Sequence, residues 1–133
     1  MSELKLELNE RESRDFFFSL DSELRKLVNE YDDDTGRIPG KRRLATLPVL
    51  SEVVSKWTAT QPTVGKSDFV NLDAIVGTTI VLSDEERKVS KRILSDDAKG
   101  RRRYLEKTNP PYEGFLAEIF EDAGILEELA GRM

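Results

Sequence analysis

The chain has 133 residues, with 21 Lys plus Arg against 26 Asp plus Glu for a net charge of −5, and it contains no His and no Cys. That length suits one domain, and Leu, Val, Ile and Phe together exceed a quarter of the residues, too many for a disordered polymer. The composition excludes disulfides, thiolate nucleophiles, imidazole bases and the usual transition-metal ligands, and no apolar run approaches the roughly 20 residues that cross a bilayer.

The first residues, Met-Ser-Glu-Leu-Lys, form neither a basic nor an apolar leader, so a soluble cytoplasmic protein is expected. Leu4, Leu6 and Leu8 alternate with Lys5 and Glu7, which predicts a short strand with one wet face; a frayed helix start is the alternative. Phe16, Phe17, Leu20, Leu24, Leu27, Val28 and Tyr31 follow helical spacing and predict a helix over 13–31. The competing reading ends a strand at Leu20 and starts the helix with Asp21 as its cap.

Residues 32–46 read as an exposed basic loop. Asp32, Asp33, Asp34, Thr35 and Gly36 break the periodicity, and Pro39 and Gly40 fit the centre of a type II turn. Thr46 is expected to cap the next helix, with Pro48 in its first turn and Leu47, Leu50, Val53, Val54 and Trp57 along its buried stripe. Residues 58–66 then form a linker. Phe69, Val70, Leu72, Ile75 and Val76 suit a short helix capped by Ser67 or Asp68. The β-branched stretch 78–82 suits a strand able to pair antiparallel with residues 4–8.

Ser83 and Glu86 have the spacing of a capping box, which predicts a helix over 84–94. Ser95, Asp96 and Asp97 resemble a second cap, so a break is expected there, followed by a helix over 96–107. Tyr104 is assigned to its core side. Asn109, Pro110 and Pro111 stop that helix. The last helices carry Phe115, Leu116, Ile119, Phe120 and Ala123, then, past Gly124, Ile125, Leu126 and Leu129. Residues 1–133 are therefore expected to form a single, compact, mainly α domain of five to seven short helices, with a minor two-stranded β element at 4–8 and 78–82.

Charge is distributed unevenly. Residues 1–34 sum to −6, 35–66 to +5, 67–83 to −2, 84–107 to +3 and 108–133 to −5. The basic clusters are Arg37, Lys41, Arg42 and Arg43, and then Arg101, Arg102 and Arg103. Clustered cations of this kind bind phosphate by releasing counterions and by bidentate contacts from Arg. The alternative is that the acidic terminal helices pack beside the basic middle and neutralise it, or that the clusters are simply solvated faces. Among aromatic residues, Trp57 continues a core stripe, whereas Phe18 lies about 200° from Phe16 around a helix, off the buried stripe, where it would serve a partner interface or a homodimer seam.

Four short motifs carry no chemistry in their context. Asp34-Thr35-Gly36 resembles an aspartic protease triplet, but that chemistry needs the Asp on a buried β-turn. Gly65-Lys66-Ser67 resembles the end of a phosphate-binding loop, yet Thr60 stands where its first Gly belongs. The Asp32, Asp33 and Asp34 cluster lacks the Gly and Glu of a calcium loop. Pro110-Pro111-Tyr112 is a helix stop.

The sequence thus points to a protein that is not an enzyme and uses neither cofactor nor metal. The leading expectation is an adaptor or regulator that binds a protein or nucleoprotein partner through a charge-polarised surface. A nucleic-acid-binding module built on the basic middle is the first alternative. An acidic inhibitor is the second, with Glu118, Glu121, Asp122, Glu127 and Glu128 imitating a phosphate backbone in a partner's groove.

Overall fold

In the computed structural model, residues 3–31, 41–62 and 74–133 are described. The alternation of Leu with Lys5 and Glu7 produces β1 (Leu4–Leu8), and the β-branched stretch produces β2 (Thr78–Leu82). They pair antiparallel, with Leu4 opposite Leu82 and Leu8 opposite Thr78. One face of this ribbon buries Leu6, Leu8, Ile80 and Leu82; the other exposes Lys5, Glu7, Thr79 and Val81. Two strands alone are barely stable in water, so this apolar face needs the helices behind it.

Helix α1 (Glu10–Tyr31) begins three residues earlier than periodicity predicts. Asn9 sets the start. Its Oδ1 accepts from the Glu12 amide at 2.8 Å, while its own amide donates to Glu12 Oε1 at 3.0 Å. This is a reciprocal cap built on Asn rather than Ser or Thr. The strand alternative for 16–20 is excluded, because the whole stretch is helical and buries Phe16, Phe17, Leu20 and Leu27. Val28, expected on the stripe, is exposed at its edge.

Helix α2 (Lys41–Ala59) corrects the boundary placed at Thr46. Lys, Arg, Leu and Ala are strong helix formers and carry the helix upstream through residues 41–45. Thr46 is therefore a buried residue within the helix, and Pro48 lies inside it rather than in its first turn. Positions 41–46 of the expected loop are thus helical; 32–40 lie outside the described residues, as do Ser67, Asp68, Phe69, Val70 and Leu72 of the expected short helix. Ile75 is buried in the core and Val76 is exposed, neither in a helix.

Helix α3 (Asp84–Leu105) starts at the expected capping box of Ser83 and Glu86 and runs without a break through Asp96 and Asp97. The expected break fails because Asp97 has partners off its own turn: Ser19 Oγ donates to its carboxylate, and Arg101 Nε donates to it at 3.0 Å. Helix α4 (Phe115–Gly131) likewise runs through Gly124. Gly114 precedes it with φ of 56°, a backbone conformation in which a side chain would be strained.

Four helices therefore stand among the described residues, instead of five to seven, with the two-stranded sheet beside them. Trp57 lies in the core, fully buried and stacked on Phe17 with ring centroids 4.2 Å apart. Helix α4 packs chiefly on α3 and also touches α1. Among the described residues, no helix is long and apolar enough to cross a membrane.

Candidate functional site

Helical spacing aligns three sets of side chains where α1, α3 and α4 meet. Ser19, Glu23 and Lys26 come from α1; Ile93, Asp97, Gly100, Arg101 and Tyr104 come from α3; Phe115 and Ile119 come from α4. Together they line a groove of about 920 Å³. Ile93 and Ile119 are buried in it, whereas Tyr104 is 51% and Phe115 68% exposed. Tyr104 therefore does not face the core as expected. On an unbroken α3 the inward positions go to Leu94, Ala98 and Leu105, and Tyr104 turns about 100° away from Leu105.

A second depression, of about 500 Å³, lies between α1 and α4 with Arg101 of α3 at its edge. Phe18, Arg101, Glu118, Glu121 and Asp122, five of the residues singled out from sequence, all line it. Phe18 is 37% exposed, in keeping with its angle around α1. Asp15 lines the same depression and was not singled out from sequence. Burial and then a hydrogen bond with Asp122 push the Asp15 carboxyl up to about 7, against which Arg11 and Arg101 pull. The available signal was an acidic residue directly preceding the buried Phe16 and Phe17.

Six of the twelve charges predicted to bind phosphate or a partner are engaged within the molecule. Arg101 lies 3.0 Å from Asp97 and 3.7 Å from Asp122. Arg102 meets Glu127 at 2.5 Å and sits over the Phe120 ring at 5.0 Å. The hydrogen bond to Arg102 holds the Glu127 carboxyl below its usual range. Arg11 meets Glu121 at 2.9 Å and Asp122 at 3.1 Å, and Glu128 meets Arg132 at 2.6 Å. Arg103 and Glu118 are exposed and make no ion pair among the described residues. Arg37 lies outside the described residues; Lys41, Arg42 and Arg43 occupy the first turn of α2.

Among the described residues, no group of three or more acidic side chains is arranged to hold a metal ion. No family model matches the chain, and no curated protein or solved structure is significantly similar to it.

Proposed function

We propose that this protein is a non-catalytic adaptor or regulator that seats an apolar anchor of a protein partner in the groove between α1, α3 and α4. The observation that carries the reading is the exposure of Tyr104 and Phe115 in the same groove as the buried Ile93 and Ile119. Large aromatic side chains left in water beside an apolar floor favour burial against another surface. Charged groups surround this floor on α1 and α3: Lys26, Arg92 and Asp96 line the same groove. They would set orientation and association rate more than affinity. The internal pairing of Arg101 and Arg102 weighs against a phosphate-binding role for those two residues.

The test is a photoreactive phenylalanine analogue placed at Phe115, irradiated in native lysate with and without Gly100→Trp. Gly100 lines the groove and a Cβ there has nothing within 4 Å, so a large side chain can be introduced at that position to obstruct it. The expected result is a discrete protein adduct that Gly100→Trp abolishes. An adduct to nucleic acid, or a protein adduct indifferent to Gly100→Trp, overturns the reading.

A further inference from the structure

The contact of α1 with α4 contains a pair of carboxyl groups that ordinary electrostatics would keep apart. Asp15 is only 7% exposed, and its Oδ2 meets no hydrogen-bond donor. Asp122 of α4, itself a carboxyl, lines the same depression between α1 and α4. Two ionised carboxylates accept hydrogen bonds and donate none, so they can be joined only when one of them carries a proton.

The surroundings decide which one carries it. From α1, Arg11 donates to Asp122 Oδ1 at 3.1 Å, and from α3, Arg101 Nη1 lies 3.7 Å from Asp122 Oδ2. Both cations thus favour the anion on Asp122. Each is also shared with another acid: Arg11 with Glu121 of α4, and Arg101 with Asp97 of α3. Arg14 of α1 is turned toward Glu10, 3.7 Å away, and Glu118 of α4 adds a further negative charge to the depression. Arg11 and Arg101 still attract an ionised Asp15, but each is also paired with other acids, and Asp15 is the more buried member of the pair.

We propose that Asp15 and Asp122 share one proton across the α1–α4 contact, and that this proton is a latch whose loss loosens α4 from α1. With the proton present, the Asp15 hydroxyl donates to the Asp122 carboxylate and joins the two helices. Without it, two like charges face each other in a poorly solvated seam and repel. Because Phe115 and Ile119 belong to α4, the latch also governs the wall of the groove. It does not depend on any partner occupying that groove.

Two measurements on the whole chain test it. The first is a carbon NMR titration of the Asp side-chain carboxyls, in which the Asp15 signal is expected to move near neutral pH. The second compares α4 amide exchange in the wild type and in Asp15→Asn, whose amide donates to Asp122 at every pH. Each comparison is made at one pH, so intrinsic exchange cancels. At about pH 8 the wild-type α4 amides should exchange about tenfold faster than those of the variant, and at about pH 5.5 the two should agree. An Asp15 signal that titrates in the ordinary carboxylate range overturns the proposal, even if the variant does not fold. Equal α4 exchange at both pH values overturns the latch while leaving the partner-binding reading untouched.

Discussion

Trp57 Nε1 donates a 2.9 Å hydrogen bond to Ser13 Oγ in the interior, joining α2 to α1. Both residues are fully buried, and Phe17, one turn beyond Ser13, covers the indole face. The polar edge of the largest core side chain is thereby satisfied where water does not reach. Ser13→Ala removes the acceptor and leaves a buried N–H unpaired, so a loss of about 1–3 kcal/mol is expected in urea unfolding followed by Trp fluorescence. Ser13→Thr, which keeps the hydroxyl, should recover part of that loss.

Glu86 links three elements. Its carboxylate accepts from the Ser83 amide at 2.8 Å and from Lys56 Nζ at 2.6 Å, and Lys56 also donates to the Val81 carbonyl at 3.1 Å. Burial pushes the Glu86 carboxyl up, but the hydrogen bonds from Lys56 and Ser83 outweigh it and hold the group below its usual range. Its stabilisation is therefore complete above the ordinary Glu pKa and is lost as pH falls through the lower folded-state value. Glu86→Ala should cost about 1–3 kcal/mol at neutral pH. The difference between wild type and variant should narrow in acid, measured as urea midpoints across the acidic range.

Two glycines should respond in opposite directions to the same substitution. A Cβ on Gly77 would stand 2.8 Å from the Leu8 carbonyl oxygen, where the chain enters β2 against the end of β1. Gly77→Ala must therefore push the strands apart, and thermal melting should show a loss of about 1–3 kcal/mol. Gly124 lies inside α4, and its nearest neighbour to a new Cβ is Arg102 Nη2 at 4.0 Å. Gly124→Ala should stabilise the protein by about 0.5–1 kcal/mol.

The three consecutive arginines of α3 should separate by role. Arg101→Glu converts attractions to Asp97 and Asp122 into repulsions at a site where these side chains are about three-quarters buried, and a loss of about 1–3 kcal/mol is expected. Arg103→Glu touches no ion pair among the described residues and should change stability by less than about 0.5 kcal/mol. Oligonucleotide anisotropy at about 50 and 200 mM salt supplies the functional contrast, since phosphate binding through this cluster would fall steeply with salt. Salt-insensitive, negligible binding by the wild type is the expected outcome.

The parts legible in the sequence were those fixed by contacts within a few residues or by strict alternation. The strand pair, the Ser83 and Glu86 cap, the burial of Trp57 and the exposure of Phe18 all follow from local spacing. The helix count went wrong at Asp97 and Gly124, because local rules read both as interruptions. Asp97 is tolerated in mid-helix through Ser19, which is 78 residues away in the chain. Tyr104 and Phe115 were missed as groove residues for a related reason, since the groove exists only where the faces of three helices converge. The charge blocks are visible in the sequence, and so is the possibility that the acidic ends neutralise the basic middle, but the pairing of Arg102 with Glu127 at 2.5 Å depends on how α3 and α4 pack.

The two strands meet with both α1 and α2 lying between them in the chain. Closing so long a loop costs entropy before a single ladder bond is made, whereas each helix can begin from neighbouring residues. Strand pairing is therefore expected in the last stage of folding, after the transition state. Contacts formed that late would act on escape from the native state rather than on arrival, so substitutions in the ribbon should speed unfolding while leaving the refolding rate nearly unchanged, the behaviour of a clasp.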